Sequence, residues 1–344
     1  MRNYTPFLKS KINEFKALAT LASDVSDDLI PFIDIKRNEK TYSASTYEKY
    51  LATLKKQIGK YLSRLPSFYL DDHDIGDDLS IRGVQSYEFS IKYLKNYNFI
   101  PVIGVEKNDE RNSAVFSNKS IVKSDIVALR VSTIELRARK KDVIQLTNEA
   151  KKYFSYVHLI VDGRIVSSLD IDAHAATINS FLAKNKGLYS KIIIAGSSIP
   201  EQITEVAKPS KTSTVTRHEI SLFSKLANNR NLFLGDYTIV TPKYLEKQLN
   251  RKIIFNIMTP KVIYSYDHFH IVFRGATLRK KGYFEYKKFC NELSSKNFFR
   301  GEAYSFGDSF IANADDYKKN ITPGVILAPT INAHITYMYR DFQL

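Results

Sequence analysis

The stretch SFYLDDHDIGDD (67–78) sets five aspartates, Asp71, Asp72, Asp74, Asp77 and Asp78, within eight positions of a strongly basic chain. So dense a carboxylate group could ligate a hard cation, do acid–base work, or cap and solubilise a loop. An EF-hand calcium loop needs D-x-[DN]-x-[DN]-G and a glutamate at its twelfth position. Here Gly76 is out of step with Asp72 and Asp74, and the twelfth residue from Asp72 is Gly83, so that loop is rejected. Asp71 or Asp72 can instead point into a pocket from a strand end, because neighbouring strand residues face opposite sides. On this reading at most one or two of the five belong to a site, and the others hold a loop.

Three further groupings could do chemistry. YDHFHIVFRG (266–275) places His268 and His270 two apart, hence on one face of a strand, where two imidazoles and a strand-end aspartate could hold zinc or a similar ion. The spacing is short, and the aromatic neighbours suit an ordinary strand or hairpin equally well. TVTRHE (214–219) sets Arg217 and Glu219 at a helix start, where an anion could bind, although Glu219 also simply complements the helix dipole. AGSSIPE (195–201) offers Ser197 and Ser198 between a strand and a helix. It is not G-x-S-x-G, and P-loop and H-E-x-x-H signatures are absent, so no motif specifies a cofactor.

The elements that must position these residues alternate along the chain. Short apolar runs occur at 29–36, 67–72, 99–106, 125–132, 156–163, 191–198, 231–240 and 271–275. Runs rich in Val, Ile, Phe and Tyr on both faces suit buried parallel strands. Helical spacing lies between them at 45–65, with Ser45 as N-cap, at 84–97, 133–154, 172–186 with Asp172 as cap, and 214–228. Eight strands separated by helices predict a (β/α)8 TIM-like barrel. The alternative is an open doubly wound sheet, against which stands the lack of a G-x-G-x-x-G loop after the first strand. No repeat, low-complexity tract or proline-rich linker divides the chain. Residues 1–344 therefore read as one domain, with 279–344 as terminal helix and capping segment.

In a barrel, chemistry collects at the C-terminal ends of the strands, whose loops share one face. Those ends carry Asp34 and Lys36, Asp71 and Asp72, Glu106, Arg130, Asp162 and Arg164, Ser197 and Ser198, Asp236, and Arg274. Polar residues return at any strand end and aspartate often caps helices, so no single member is diagnostic. As a ring they define a candidate pocket.

Lys and Arg number 51 against 36 acidic residues, a net charge of +15 that suits nucleic acid, an acidic protein or an anionic surface. The basic runs are short and dispersed, as on a solvated face. One cysteine, Cys290, lies in a helical pattern that predicts core packing and suits a reducing compartment. The N-terminus lacks an apolar signal core and no run is long enough to span a bilayer, so the expectation is a cytoplasmic protein without membrane partners.

YTPFLKSKINEFKALATL (4–21) followed by IPFIDI (30–35) resembles the start of the Beta protein family of phages and prophages. SSIPE (197–201), RHEISLF (217–223) and GDYTIVTP (235–242) look like further stations of the same pattern, and the likeness thins after about residue 242. The resemblance implies a role in phage exclusion, or in protection from a neighbouring toxic gene product, with no catalytic residue to carry over. It singles out Tyr4, Pro6, Lys9, Lys11 and Glu14, in a segment expected to cover the bottom of the barrel. The first expectation is therefore a barrel that binds a partner protein encoded nearby, or an anionic effector, during phage–host conflict. The alternatives are a barrel enzyme acting on a phosphorylated or nucleotide-like substrate, and a nucleic-acid-binding protein.

Overall fold

The computed structural model describes residues 3–37, 41–226, 231–243 and 251–343. The expected helix at 214–228 therefore ends, at 227 and 228, outside the described residues. Eight parallel strands close on themselves: β1 (Tyr4–Lys9), β2 (Phe32–Asp34), β3 (Phe68–Asp71), β4 (Phe99–Gly104), β5 (Ile126–Val131), β6 (Tyr156–Ile165), β7 (Lys191–Ser197) and β8 (Leu232–Asp236). Each pairs with the next, and the ring shuts where Tyr4 of β1 lies opposite Leu234 of β8. Closure removes the open-sheet alternative.

The count of eight is right, but its membership differs from the expectation at both ends. YTPFLK is itself the first strand, not a cover for the barrel bottom, and the run at 29–36 supplies the second. The run at 271–275 belongs to no barrel strand. It lies in a three-stranded antiparallel sheet in which Phe269–Arg274 pairs with both Lys211–Thr216 and Lys261–Tyr266.

Inside the barrel, alternate residues meet as a packed column that includes Phe7, Phe32, Tyr69, Val102, Ile160 and Ile193. Phe7 stacks on Phe32 with ring centroids 4.4 Å apart. That stack requires glycine on β8, because a Cβ at Gly235 would stand 2.7 Å from the Phe7 ring. The opposite faces of the strands pack against surrounding helices, among them Ala44–Tyr61, whose N-cap is Ser43 in a capping box with Thr46 and not Ser45. Helix Ile171–Asn185 starts after Asp170, with Asp172 in its first turn.

The antiparallel sheet and the C-terminal helices share a second core of Val262, Tyr264, Phe273, Tyr286, Phe289 and Cys290. Burial pushes the Cys290 thiol up to about 12, as inert packing requires. Where one terminal helix was expected, the described residues from 278 onward hold four α-helices, and the last, Pro323–Arg340, packs on helix Ile12–Ala19 and on strand Lys261–Tyr266. It buries Ile331, Ile335 and Met338 completely, each contributing about 1.5–3 kcal/mol of hydrophobic stabilisation. Among the described residues, no helix is long and apolar enough to cross a membrane.

Candidate functional site

Strand alternation decides which polar ends meet. Phe7, Phe32, Tyr69, Ala128 and Ile160 face the interior, so residues two further on, Lys9, Asp34, Asp71, Arg130 and Asp162, face it too, one layer nearer the C-terminal mouth. Arg130 stands among three carboxylates: Nη1 donates to Asp34 Oδ1 and Asp71 Oδ2, each at 2.8 Å, while Nε and Nη2 donate to Asp162 Oδ2 at 3.0 and 2.5 Å. Tyr237, just past β8, donates to Asp162 Oδ2 at 2.6 Å and accepts from Arg130 Nη2 at 2.9 Å. Lys9 Nζ bridges Asp34 Oδ2 at 2.7 Å and Asp74 Oδ2 at 2.8 Å.

Lys9, Asp34, Asp71, Arg130, Asp162 and Tyr237 are nearly dry, whereas Asp74 is partly exposed. Burial alone would raise the Asp34 carboxyl, but Arg130 and Lys9 outweigh it and hold the group well below the usual carboxylate range. Asp162 is lowered in the same way, burial being overcome by Arg130 and by the Tyr237 hydroxyl. Neither carboxylate is poised to carry a proton at neutral pH, and Arg130 has its donors engaged internally.

The five aspartates of 71–78 divide between the end of β3 and the loop that follows it. Asp71 turns inward to Arg130, while its neighbour Asp72 turns outward to Arg111, on helix Asp109–Ser117. Arg111 Nη2 also reaches Asp71 Oδ1 at 2.9 Å, and its guanidinium lies 3.8 Å from the centroid of the Tyr87 ring. Asp74 returns over the mouth to Lys9. Asp77 accepts from Lys107 Nζ at 3.1 Å and from the Asn108 N–H at 2.8 Å. Asp78 is exposed. Four of the five are therefore paired with cations from other segments, because the loop folds back over the barrel instead of projecting into water.

At the rim stands Arg164, where the β6–β7 register slips between Asp162 and Ile165. Its φ of +52° is left-handed, a conformation that costs a non-glycine residue about 1–2 kcal/mol. Asp162 Oδ1 holds it there by accepting its backbone N–H at 2.8 Å. The side chain is 26% exposed and loosely engaged: Nη1 is 3.5 Å from Asp74 Oδ1, Nη2 is 3.3 Å from the Pro242 carbonyl, and Nε is buried without a partner. Lys36 sits part-exposed with its ammonium 5.8 Å from the Tyr50 ring centroid, and Glu106 contacts His73. Ser197 is buried, its Oγ accepting from the Ile199 N–H at 3.1 Å.

Asp236 does not join this layer. Tyr237 takes the inward position, so Asp236 faces out of the barrel toward the C-terminal helix, in a second cluster with Ser198, Arg217 and Glu219. Arg217 donates to Asp236 Oδ2 at 2.7 Å and to Glu219 Oε1 at 2.9 Å, and Ser198 Oγ donates to Glu219 Oε2 at 2.5 Å. The Tyr4 hydroxyl donates to Asp236 Oδ1 at 2.7 Å. His334 Nε2 lies 3.0 Å from Asp236 Oδ2, His334 Nδ1 lies 2.6 Å from Ser265 Oγ, and His270 Nδ1 lies 2.9 Å from the same oxygen.

Burial keeps both imidazoles below their ordinary range, hence neutral. Their proton positions then follow: His334 Nε2–H donates to the carboxylate, Ser265 donates to His334 Nδ1, and His270 Nδ1–H donates to Ser265. The order Asp–His–Ser matches a hydrolase triad. Yet Ser265, His334 and Asp236 are each 1% exposed, and the far side of the serine is closed by His270. The relay ties barrel, antiparallel sheet and C-terminal helix together.

Arg274 ends a strand of the antiparallel sheet, away from the mouth, donating to the Ala207 carbonyl at 2.6 Å and to Thr259 Oγ1 at 3.0 Å. His268 lies in the exposed turn and His270 is buried, so the H-x-H pair is split, and no metal-binding group of His, Cys, Asp and Glu occurs among the described residues. Sequence reasoning missed Arg111, Tyr237, Ser265 and His334. None carries a local signal, since each acts on a partner far away in the chain.

No curated protein matches the sequence. Among solved structures, the chain is similar to thiamine phosphate pyrophosphorylase from Pyrococcus furiosus at 10% identity and a TM-score of 0.34, over 69% of this chain and 87% of that one. The family model described as Beta protein matches residues 4–340, well beyond residue 242, where the likeness in the sequence thinned. From Tyr4 at the barrel seam to Arg340 at the end of the last helix, the chain belongs to the Beta protein family.

Proposed function

We propose that this protein acts in phage–host conflict as a binding barrel, recognising a partner protein or an anionic effector at the barrel mouth. The observation that carries this reading is Arg164. The mouth's inner cations are engaged by carboxylates of the chain itself, whereas Arg164 stands at the rim with a buried, unpartnered Nε. Its left-handed backbone keeps it at the rim. Binding is favoured over catalysis because Asp34 and Asp162, the natural acid–base candidates, are kept ionised and hydrogen-bonded by Arg130, Lys9 and Tyr237. The chain's +15 charge adds long-range attraction for an anionic target.

The test is protection in cells. Arg164→Glu, folded as judged by an unchanged melting transition, is expected to abolish protection against phage or the adjacent toxic product. It should also abolish co-purification with the product of the adjacent gene. Full protection by Arg164→Glu would overturn the reading.

A further inference from the structure

The carboxylate that faces Arg164 comes from the chain itself. Asp74 lies with Oδ2 at 2.8 Å from Lys9 Nζ and Oδ1 at 3.5 Å from Arg164 Nη1. An ammonium and a guanidinium thus grip one carboxylate from two sides, the arrangement by which proteins recognise acidic side chains. Lys9 does not need Asp74 for neutralisation, because Asp34 stands 2.7 Å away on its other side. Arg164 makes only the long contacts, leaving its Nε–H free for a better acceptor.

The loop that delivers Asp74 is fastened independently of it. Ile75 is buried beneath, and Lys107 Nζ donates to the His73 carbonyl at 3.0 Å, to the Ile75 carbonyl at 3.3 Å and to Asp77 at 3.1 Å. Asp74 can therefore turn out to solvent by side-chain rotation while the loop stays in place.

Resting on the barrel-mouth reading above, we propose that Lys9 and Arg164 form a carboxylate-binding site that Asp74 occupies in the resting protein. A glutamate or aspartate side chain of a protein partner takes its place. Charge selects the class of ligand. Asp34, Asp71, Asp72, Asp74 and Asp162 face Lys9, Arg111, Arg130 and Arg164, so four cations against five carboxylates leave an excess of −1. A partner carboxylate that displaces Asp74 leaves that balance unchanged. A phosphate dianion would deepen it by one further charge in a poorly hydrated site. The tethered Asp74 competes at the high effective concentration of an intramolecular group, so it sets a threshold that only a well-placed acidic partner crosses.

The test uses the full chain and a fluorescent hexaglutamate peptide, read by anisotropy at fixed salt. Asp74→Asn, which removes the competing charge, is expected to bind at least about tenfold tighter than the wild type. Adding Arg164→Ala to that variant should return affinity to the wild-type level or below, and glutarate should compete better than inorganic phosphate. Equal binding by Asp74→Asn and wild type would overturn the proposal. So would tight binding that survives loss of Arg164, which would reveal only the general basic surface. Melting curves for each variant separate these results from misfolding. If Asp74→Asn has no effect while Arg164→Glu still loses protection, Asp74 is not the occupant and the mouth remains the recognition face. If Arg164→Glu protects fully, the mouth reading itself fails.

Discussion

Arg130 Nη1 stands 2.8 Å from Asp34 Oδ1, joining β5 to β2 through the barrel interior, and the same nitrogen stands 2.8 Å from Asp71 Oδ2 on β3. One planar cation thereby ties three strands, with Asp162 of β6 as a fourth. Removing it would leave three buried carboxylates without their principal partner. Arg130→Met is expected to destabilise the fold by about 3–5 kcal/mol, as breaking a buried ion pair generally does. Arg130→Lys should recover only part of that, since a single ammonium cannot match the guanidinium fork. Urea unfolding monitored by circular dichroism checks both; a loss under 1 kcal/mol for the methionine variant would contradict this role.

The first turn of helix Ile12–Ala19 carries another buried carboxyl, Glu14, whose Oε2 accepts the Lys9 backbone N–H at 2.5 Å. Burial pushes its pKa up to about 7, against the attraction of Lys11 and the Lys9 N–H. A carboxyl with a raised folded-state pKa favours folding most below its unfolded value, near 4.5. That contribution is lost as pH rises through about 7. The loss is on the order of 3 kcal/mol. Glu14→Gln keeps an acceptor for Lys9 N–H but cannot titrate, so its stability should be flatter than the wild type's between pH 4.5 and 7. Parallel slopes for the two proteins over that window would contradict the assignment.

The relay at the back of the barrel responds in the opposite sense. Burial depresses His270, with Arg217 adding to it and Asp236 opposing; His334 is depressed by burial against the pull of Asp236. A histidine whose folded pKa is depressed contributes fully above its unfolded value, near 6.5, and loses that contribution as pH falls below it. Acidification from pH 7 toward 5 should therefore loosen the C-terminal helix. Amide hydrogen exchange in Pro323–Arg340 is expected to accelerate over that range, and unchanged exchange would count against neutral imidazoles.

Ser265 is the hinge of that relay, accepting from one imidazole and donating to the other. Ser265→Ala leaves two buried ring nitrogens without a partner and should cost about 1–3 kcal/mol. Protection in cells should persist at a temperature where the variant is folded. Loss of protection by a fully folded Ser265→Ala would mean that the triad-like order has a chemical role.

Much of the barrel was legible in the sequence because β2 to β8 are apolar on both faces, as strands covered by helices outside and a packed column inside must be. β1 was not, because Pro6 and Lys9 interrupt the apolar pattern that marks the other strands; Lys9 is polar because its end of the strand enters the mouth. The run at 271–275 imitated a barrel strand for a physical reason. Ile263 and Val272 pack on the main core while Val262, Tyr264 and Phe273 pack on the second, so this hairpin too is buried on both sides. Asp34, Asp71, Arg130 and Asp162 converge as the strand-end pattern implied. Asp236 diverges because a shift of one residue reverses the face, and Tyr237, not Asp236, holds the inward register.

The most direct measurement is the Nε–H resonance of Arg164, assigned by comparison with Arg164→Lys and followed while glutarate is added to Asp74→Asn. A saturable shift at this resonance is expected, smaller when inorganic phosphate is added at the same concentration and weaker in the wild type. A resonance that glutarate leaves unmoved, in a folded protein, would contradict recognition of acidic side chains at the barrel mouth.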